Sequence, residues 1–284
     1  MSPLLICLAM ASENTFTDVP YVPNGGESQR LDLYLPEGKG KHPLIVYIHG
    51  GAFMFGDKKS PLMPKRLIAK GYAIASLNYR LSGEAKFPAA VEDCKAAVRW
   101  LRAHSGRYAL DPNRFVAWGE SAGAYMAVFL GTAGATKEFD KGEYLQFSSA
   151  VEGVVDYYGP TDFGQMDAHV LPGGQEHGTA GSPESKFLGA TVNDNPELVR
   201  QADPIVYITK KAPPFFIAHG DNDHTVPYNQ SELLYAALQK AGVPSTLLRV
   251  KGAEHVFGGA TPEQRAEIDR GTDEFLEKCV GSGQ

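Results

Sequence analysis

Apolar and polar positions follow two different rhythms along this chain. Residues 29–35 (Gln-Arg-Leu-Asp-Leu-Tyr-Leu) alternate polar and apolar, the period of a half-buried strand. Residues 43–48 (Pro-Leu-Ile-Val-Tyr-Ile) are a continuous apolar run, which marks a strand covered on both faces. Tyr72 to Leu77 is a second such run. Between them, residues 62–70 read as a helix that stops at Gly71, a residue suited to a C-terminal cap. Over 87–104 the apolar positions Phe87, Ala90, Val91, Cys94, Ala97, Val98 and Leu101 recur every three or four residues, as on an amphipathic helix. The alternation then continues: a strand over 114–118, a helix over 122–130, and strands over 150–158 and 215–218. A helix over 228–241 closed by Gly242, a strand over 246–250 and a helix over 262–278 complete it.

Strands alternating with helices predict an α/β domain, with a mostly parallel sheet covered by helices on both faces. No helix separates the first strands, so the leading edge of the sheet is expected to be antiparallel. One stretch breaks the rhythm. Residues 163–200 are rich in Gly, His, Pro and Asn and weakly periodic, which predicts a lid or binding insertion. No repeat or low-complexity linker divides the chain, so a single domain over 1–284 is expected.

Composition narrows the classes. Of 284 residues, 43% are hydrophobic and 21% charged, enough apolar material for a sizeable core and unlike a disordered, collagen-like or coiled-coil chain. The 27 basic residues against 33 acidic ones leave a net charge of −6 with no dense Lys/Arg cluster, so nucleic acid is not an expected partner. Cys7, Cys94 and Cys279 stand far apart, without the spacing of a disulfide framework or a zinc site. No metal and no cofactor is called for. No apolar run is long enough to cross a membrane. Leu4 to Ala11 is apolar, but no Lys or Arg comes before Arg30, so a cytoplasmic location is expected over secretion. An exposed edge strand or the last helix would offer a surface for a homodimer.

Four segments carry candidate chemistry. Gly119-Glu120-Ser121-Ala122-Gly123 is G-x-S-x-G, set between a predicted strand and an apolar helix. A strand-to-helix turn this sharp exposes a serine hydroxyl above the sheet and tolerates only small residues on either side. A hydroxyl needs a base to become a good nucleophile. Of eight histidines, His255 follows the last predicted strand, where such a base belongs, while His219 and His224 lie near the preceding strand. The base needs an orienting carboxylate. His219-Gly-Asp-Asn-Asp-His-Thr-Val-Pro227 offers Asp223, and Asp221 as the alternative, expected to cap its own loop. His49-Gly50-Gly51-Ala52-Phe53 follows a buried strand. Its glycines can turn backbone N–H groups toward a ligand, and with the Ala122 N–H they would form an oxyanion hole. Phe53, Tyr125 and Tyr158 are candidate pocket walls.

With these segments the chain resembles the α/β-hydrolase superfamily, within it the hormone-sensitive-lipase-like carboxylesterases, and most closely the compact BD-FAE-type acetyl and feruloyl esterases. Asn78-Tyr-Arg-Leu, Phe87-Pro-Ala-Ala-Val-Glu-Asp, Asp111-Pro-Asn-Arg and Glu254-His255 carry the likeness alongside the motifs above. Two departures stand out: only 48 residues precede His49, too few for a large N-terminal cap, and the acid lies in Asp-Asn-Asp-His-Thr-Val-Pro rather than D-P-L. The resemblance implies a serine esterase without cofactor, acting on short-chain acyl esters of carbohydrates or small molecules. Thioesterase and prolyl-oligopeptidase-like peptidase activities are the alternatives, with a non-catalytic binding protein as the remote one.

Overall fold

In the computed structural model, residues 14–281 are described. Cys7 and the apolar stretch Leu4 to Ala11 lie outside them. Eight strands form one sheet in the order β1-β2-β4-β3-β5-β6-β7-β8. They are β1 (Thr15–Pro20), β2 (Arg30–Tyr34), β3 (His42–Ile48), β4 (Ala73–Leu77), β5 (Leu110–Glu120), β6 (Gly153–Tyr157), β7 (Phe215–Gly220) and β8 (Ser245–Val250). The pairs β1–β2 and β2–β4 are antiparallel and every later pair is parallel, so the antiparallel leading edge is where the missing first crossover placed it. The architecture is that of an α/β-hydrolase.

Burial on both faces explains the continuous apolar strands. In β3, Leu44, Val46 and Ile48 enter one core cluster while Ile45 and Tyr47 enter the other. In β5, Phe115 and Ala117 go one way and Val116 and Trp118 the other. The first face is covered by α1 (Ala89–Ala103), α2 (Ala122–Ala133) and α5 (Asn229–Ala241), and the second by α6 (Pro262–Val280) and a 3-10 turn, Lys65–Lys70. Helix α2 is buried on all sides, which is why its sequence is apolar all round rather than striped.

Several expectations change. Of residues 62–70, only Lys65–Lys70 form that 3-10 turn and none a regular helix, although Gly71 does close it in the left-handed conformation at φ 90°. Strand β1 went unpredicted because it is an exposed edge with a bulge, and its register with β2 shifts between Phe16 and Val19. The weakly periodic segment 163–200 is a cluster of short pieces: α3 (Pro183–Leu188), α4 (Pro196–Gln201) and single 3-10 turns. Six-residue helices are too short to show a period, yet Phe163, Met166, Phe187, Leu188, Val192 and Val199 are buried in the main core.

The turn from β5 into α2 depends on close packing. A Cβ on Gly123 would collide with the Ile48 and His49 carbonyls of β3 and its following loop, and one on Gly119 with the Gly123 carbonyl. Backbone cannot yield as a flexible side chain would. Gly123→Ala is therefore expected to lose more than about 3 kcal/mol of stability. Chemical denaturation of the variant against wild type measures this; a loss under about 1 kcal/mol would show that the turn relaxes.

Candidate active site

Ser121 sits between β5 and α2 with φ 54° and ψ −123°, a conformation strained for a residue with a Cβ. Its N–H donates to Tyr157 O (2.9 Å) and its carbonyl accepts the Tyr125 N–H (3.1 Å), so β6 and α2 hold the turn from both sides. The hydroxyl points to the loop after β8, where His255 Nε2 lies 3.0 Å from Ser121 Oγ. His255 Nδ1 is 2.6 Å from Asp223 Oδ2, on the loop after β7. The structure thus brings Ser121, His255 and Asp223 into one hydrogen-bonded line from three separate strand ends.

Asp223 is buried and fully engaged. Its Oδ1 accepts the Thr225 and Val226 N–H groups, each at 2.8 Å. Its Oδ2 faces His255 and also His219 Nε2, at 3.2 Å. Burial pushes its carboxyl up, but the hydrogen bonds from His219 and His255 outweigh that and hold it well below the usual carboxylate range. Asp221 takes a different part: it accepts the Gly252 N–H and pairs with Arg249 Nε at 2.7 Å, tying the acid loop to the loop after β8.

The His49-Gly-Gly loop abuts the serine turn. A Cβ on Gly50 would lie 2.8 Å from Glu120 O and 3.3 Å from Ser121 Cβ. Gly51 has φ 120°, a backbone that side chains rarely adopt. No backbone carbonyl among the described residues accepts the N–H of Gly50, Gly51 or Ala122. The loop is braced from below. His49 stacks on Tyr79 (4.6 Å between rings), donates Nδ1–H to Gly50 O (2.6 Å), and its own carbonyl accepts the Tyr79 hydroxyl (3.0 Å). Burial lowers the basicity of His49, which keeps it neutral for this work. Asn78 and Arg80, on either side of Tyr79, accept the Lys58 N–H and grip Asp93 of α1, which accounts for the Asn-Tyr-Arg motif.

A cavity of about 460 Å³ opens over Ser121 and His255. Tyr158 lines it, its ring edge-on to His255 at 4.8 Å. Phe53 and Tyr125 do not line it. Both are buried in an aromatic cluster under the site, where Phe53 stacks on Phe187 at 4.3 Å and the Tyr125 hydroxyl donates to Ala202 O at 2.6 Å. Proximity in sequence to the motifs misled here: Phe53 turns inward at φ 61°, and Tyr125 stands one helical turn below the serine. Phe55, Leu62 and Val256, all exposed apolar residues, form the rim instead. Val256 follows His255 at φ 59°, an unusual backbone for a β-branched residue.

Glu120 is a wall residue that the motif pattern hid, since G-x-S-x-G leaves its position free. It is buried and touches the Tyr47 hydroxyl at 3.0 Å, which in turn meets Ser60 Oγ at 3.0 Å. Burial pushes its carboxyl up to about 8, the Tyr47 hydrogen bond opposing. At neutral pH Ser121 therefore has a protonated, uncharged acid beside it.

Comparison with known proteins places this geometry. The BD-FAE family model matches residues 31–238. The chain belongs to the BD-FAE family. Esterase LipQ of Mycobacterium tuberculosis is 30% identical over 275 residues, covering 93% of this chain and 62% of LipQ. Isoprenylcysteine alpha-carbonyl methylesterase ICME of Arabidopsis thaliana is 30% identical over 235 residues, covering 80% of this chain and 53% of its own. The chain thus spans between half and two thirds of the length of these curated relatives. A truncated carbohydrate esterase from gut microbiota superposes with a TM-score of 0.82 at 32% identity, covering 92% of this chain and 95% of that one. This BD-FAE chain has no helix among its described residues that is long and apolar enough to cross a membrane.

The Glu120 carboxyl gives a pH prediction. Its pKa in the folded chain is raised above the ordinary carboxylate value, so the folded state binds the proton more tightly than the unfolded one. That contribution is full below about pH 4, shrinks as pH rises above it, and is gone once pH passes about 8. Between about pH 5 and 8 the melting temperature of wild type is expected to fall by several degrees more than that of Glu120→Gln. Parallel melting curves for the two proteins would refute the assignment.

Proposed function

We propose that this BD-FAE chain is a serine carboxylic ester hydrolase that works through an acyl-enzyme on Ser121. The observation that carries the reading is the hydrogen-bonded line Ser121–His255–Asp223, 3.0 Å and 2.6 Å long, at the floor of an open cavity. Ser121 Oγ attacks the ester carbonyl while His255 Nε2 takes its proton. Asp223 holds the His255 Nδ1–H and stabilises the imidazolium. The N–H groups of Gly50, Gly51 and Ala122 receive the oxyanion, a role worth about 3–4 kcal/mol per donor. His255 then gives its proton to the leaving alcohol, and water, activated by the same base, releases the acid and restores Ser121. No step calls for a metal or cofactor.

A short acyl group fits best. The two short helices of segment 163–200 join the core rather than standing as a cap, and the cavity stays open at an apolar rim. Such a rim suits an acetyl, small alkyl or aryl group whose remainder extends into solvent, as an ester of a carbohydrate or small alcohol would. The names of the carbohydrate esterase and of LipQ support the ester; the choice of alcohol rests on the open mouth.

The test is hydrolysis of p-nitrophenyl acetate, butyrate and octanoate, with a matched thioester as control. Wild type is expected to prefer the acetate and butyrate, and Ser121→Ala to lose at least about 10³-fold in kcat. Equal rates for the two proteins, or preference for the thioester, would overturn the reading.

A further inference from the structure

Asp223 Oδ2 stands between two serine–histidine pairs. On one side lie His255 (2.6 Å) and Ser121 (3.0 Å from His255). On the other lie His219 (3.2 Å) and Ser231 (2.7 Å from His219). The second pair is sealed in the protein: His219 is the last residue but one of β7, Ser231 lies in the first turn of α5, and neither side chain meets solvent. Neither reaches the cavity.

The proton positions of this inner pair follow from its partners. His219 Nε2 faces only acceptors, Asp223 Oδ2 and Val226 O (3.0 Å), so Nε2 carries the hydrogen. Nδ1 is then bare and accepts the Ser231 hydroxyl proton. The other charged or titratable groups around it are Asp156 at the end of β6 and the phenols Tyr158 and Tyr228, whose rings stand 6.4 Å and 5.6 Å away. Around His255 they are Ser121, Asp223 and Tyr158, with the exposed His224–Glu254 pair (2.9 Å) on the flanking residues.

We propose that His219 is a positioning residue for the catalytic acid: its Nε2–H, oriented by Ser231, aims Asp223 Oδ2 at His255 and draws off part of that oxygen's negative charge. The proposal rests on the triad reading above. Its consequence is specific. An oxygen serving two imidazoles attracts a proton on His255 less strongly than one serving a single imidazole. Without the His219 donor, the base would hold its proton to higher pH, and the acid limb of the kcat/KM profile would move upward. Because His219 is remote from the cavity, kcat should suffer and KM should not.

Three variants test this. His219→Leu removes the donor, His219→Gln keeps an N–H near the position of Nε2, and Ser231→Ala leaves the ring but frees its orientation. His219→Leu is expected to lose roughly tenfold or more in kcat, with the acid limb raised by about half a unit to one unit. His219→Gln should recover most of both, and Ser231→Ala should move the limb in the same direction by less. Equal losses in Leu and Gln with an unmoved limb would overturn the proposal, as would no effect in any variant. Should His219→Leu fail to fold, Ser231→Ala and His219→Gln decide: an unmoved limb in Ser231→Ala refutes it. A pH titration of the low-field His255 Nδ1–H proton by NMR reads the same shift without substrate. Absent turnover by wild type thus counts against the esterase reading, and an unmoved NMR midpoint in the variants against this one.

Discussion

Everything at this site hangs on the close approach of the β5–α2 turn to β3. The serine is held at positive φ only because glycines on both sides let backbone meet backbone, Gly119 against Gly123 and Gly123 against the carbonyls of Ile48 and His49. That contact has two consequences. It lifts the Ser121 hydroxyl out of the helix and toward the loop after β8, and it brings the His49-Gly-Gly loop alongside the Ala122 N–H. One steric constraint thus sets both the proposed nucleophile and the donors proposed for the developing negative charge. The strain is borne by the sheet, whose central strands β3 and β5 are buried on both faces.

The electrostatics are built around a single buried carboxylate. A lone Asp in this position would be protonated; four hydrogen-bond donors keep Asp223 ionised. Glu120, equally buried but with one donor, is pushed the other way. Two carboxyl groups near one serine are thereby split into a charged one, Asp223, that aims the proposed base, and a neutral wall, Glu120. A second ionised carboxylate at the wall would repel the oxyanion proposed to form at Ser121.

The fold was legible wherever burial imposed a period. Residues 43–48, 72–77 and 89–103 form the elements their patterns predict, because each is pressed against a core on one face or two. The edge strand Thr15–Pro20 and the six-residue helices of 163–200 were not, since neither buries enough along a regular repeat to leave a signal. At the site, the meeting of Ser121, His255 and Asp223 was legible because a strand end, a turn and a glycine pattern fix where such side chains go. Phe53 and Tyr125 were misjudged because an aromatic residue near a motif can face the cavity or the core, and only the backbone at φ 61° and the ring cluster decide. Glu120 and His219 were visible as letters, but their importance lies in burial and in hydrogen-bond direction, which spacing does not encode.

The central claim is that Ser121 is the one activated nucleophile of the described chain. Reaction with an alkyl fluorophosphonate tests it most directly: Oγ–P forms, fluoride leaves, and the serine keeps the phosphonyl group. Intact-mass and peptide mass spectrometry should show a single adduct per chain, on Ser121, with labelling slowed at least roughly a hundredfold in His255→Ala. An adduct on another residue, or labelling of Ser121 at an unchanged rate without His255, would contradict the account.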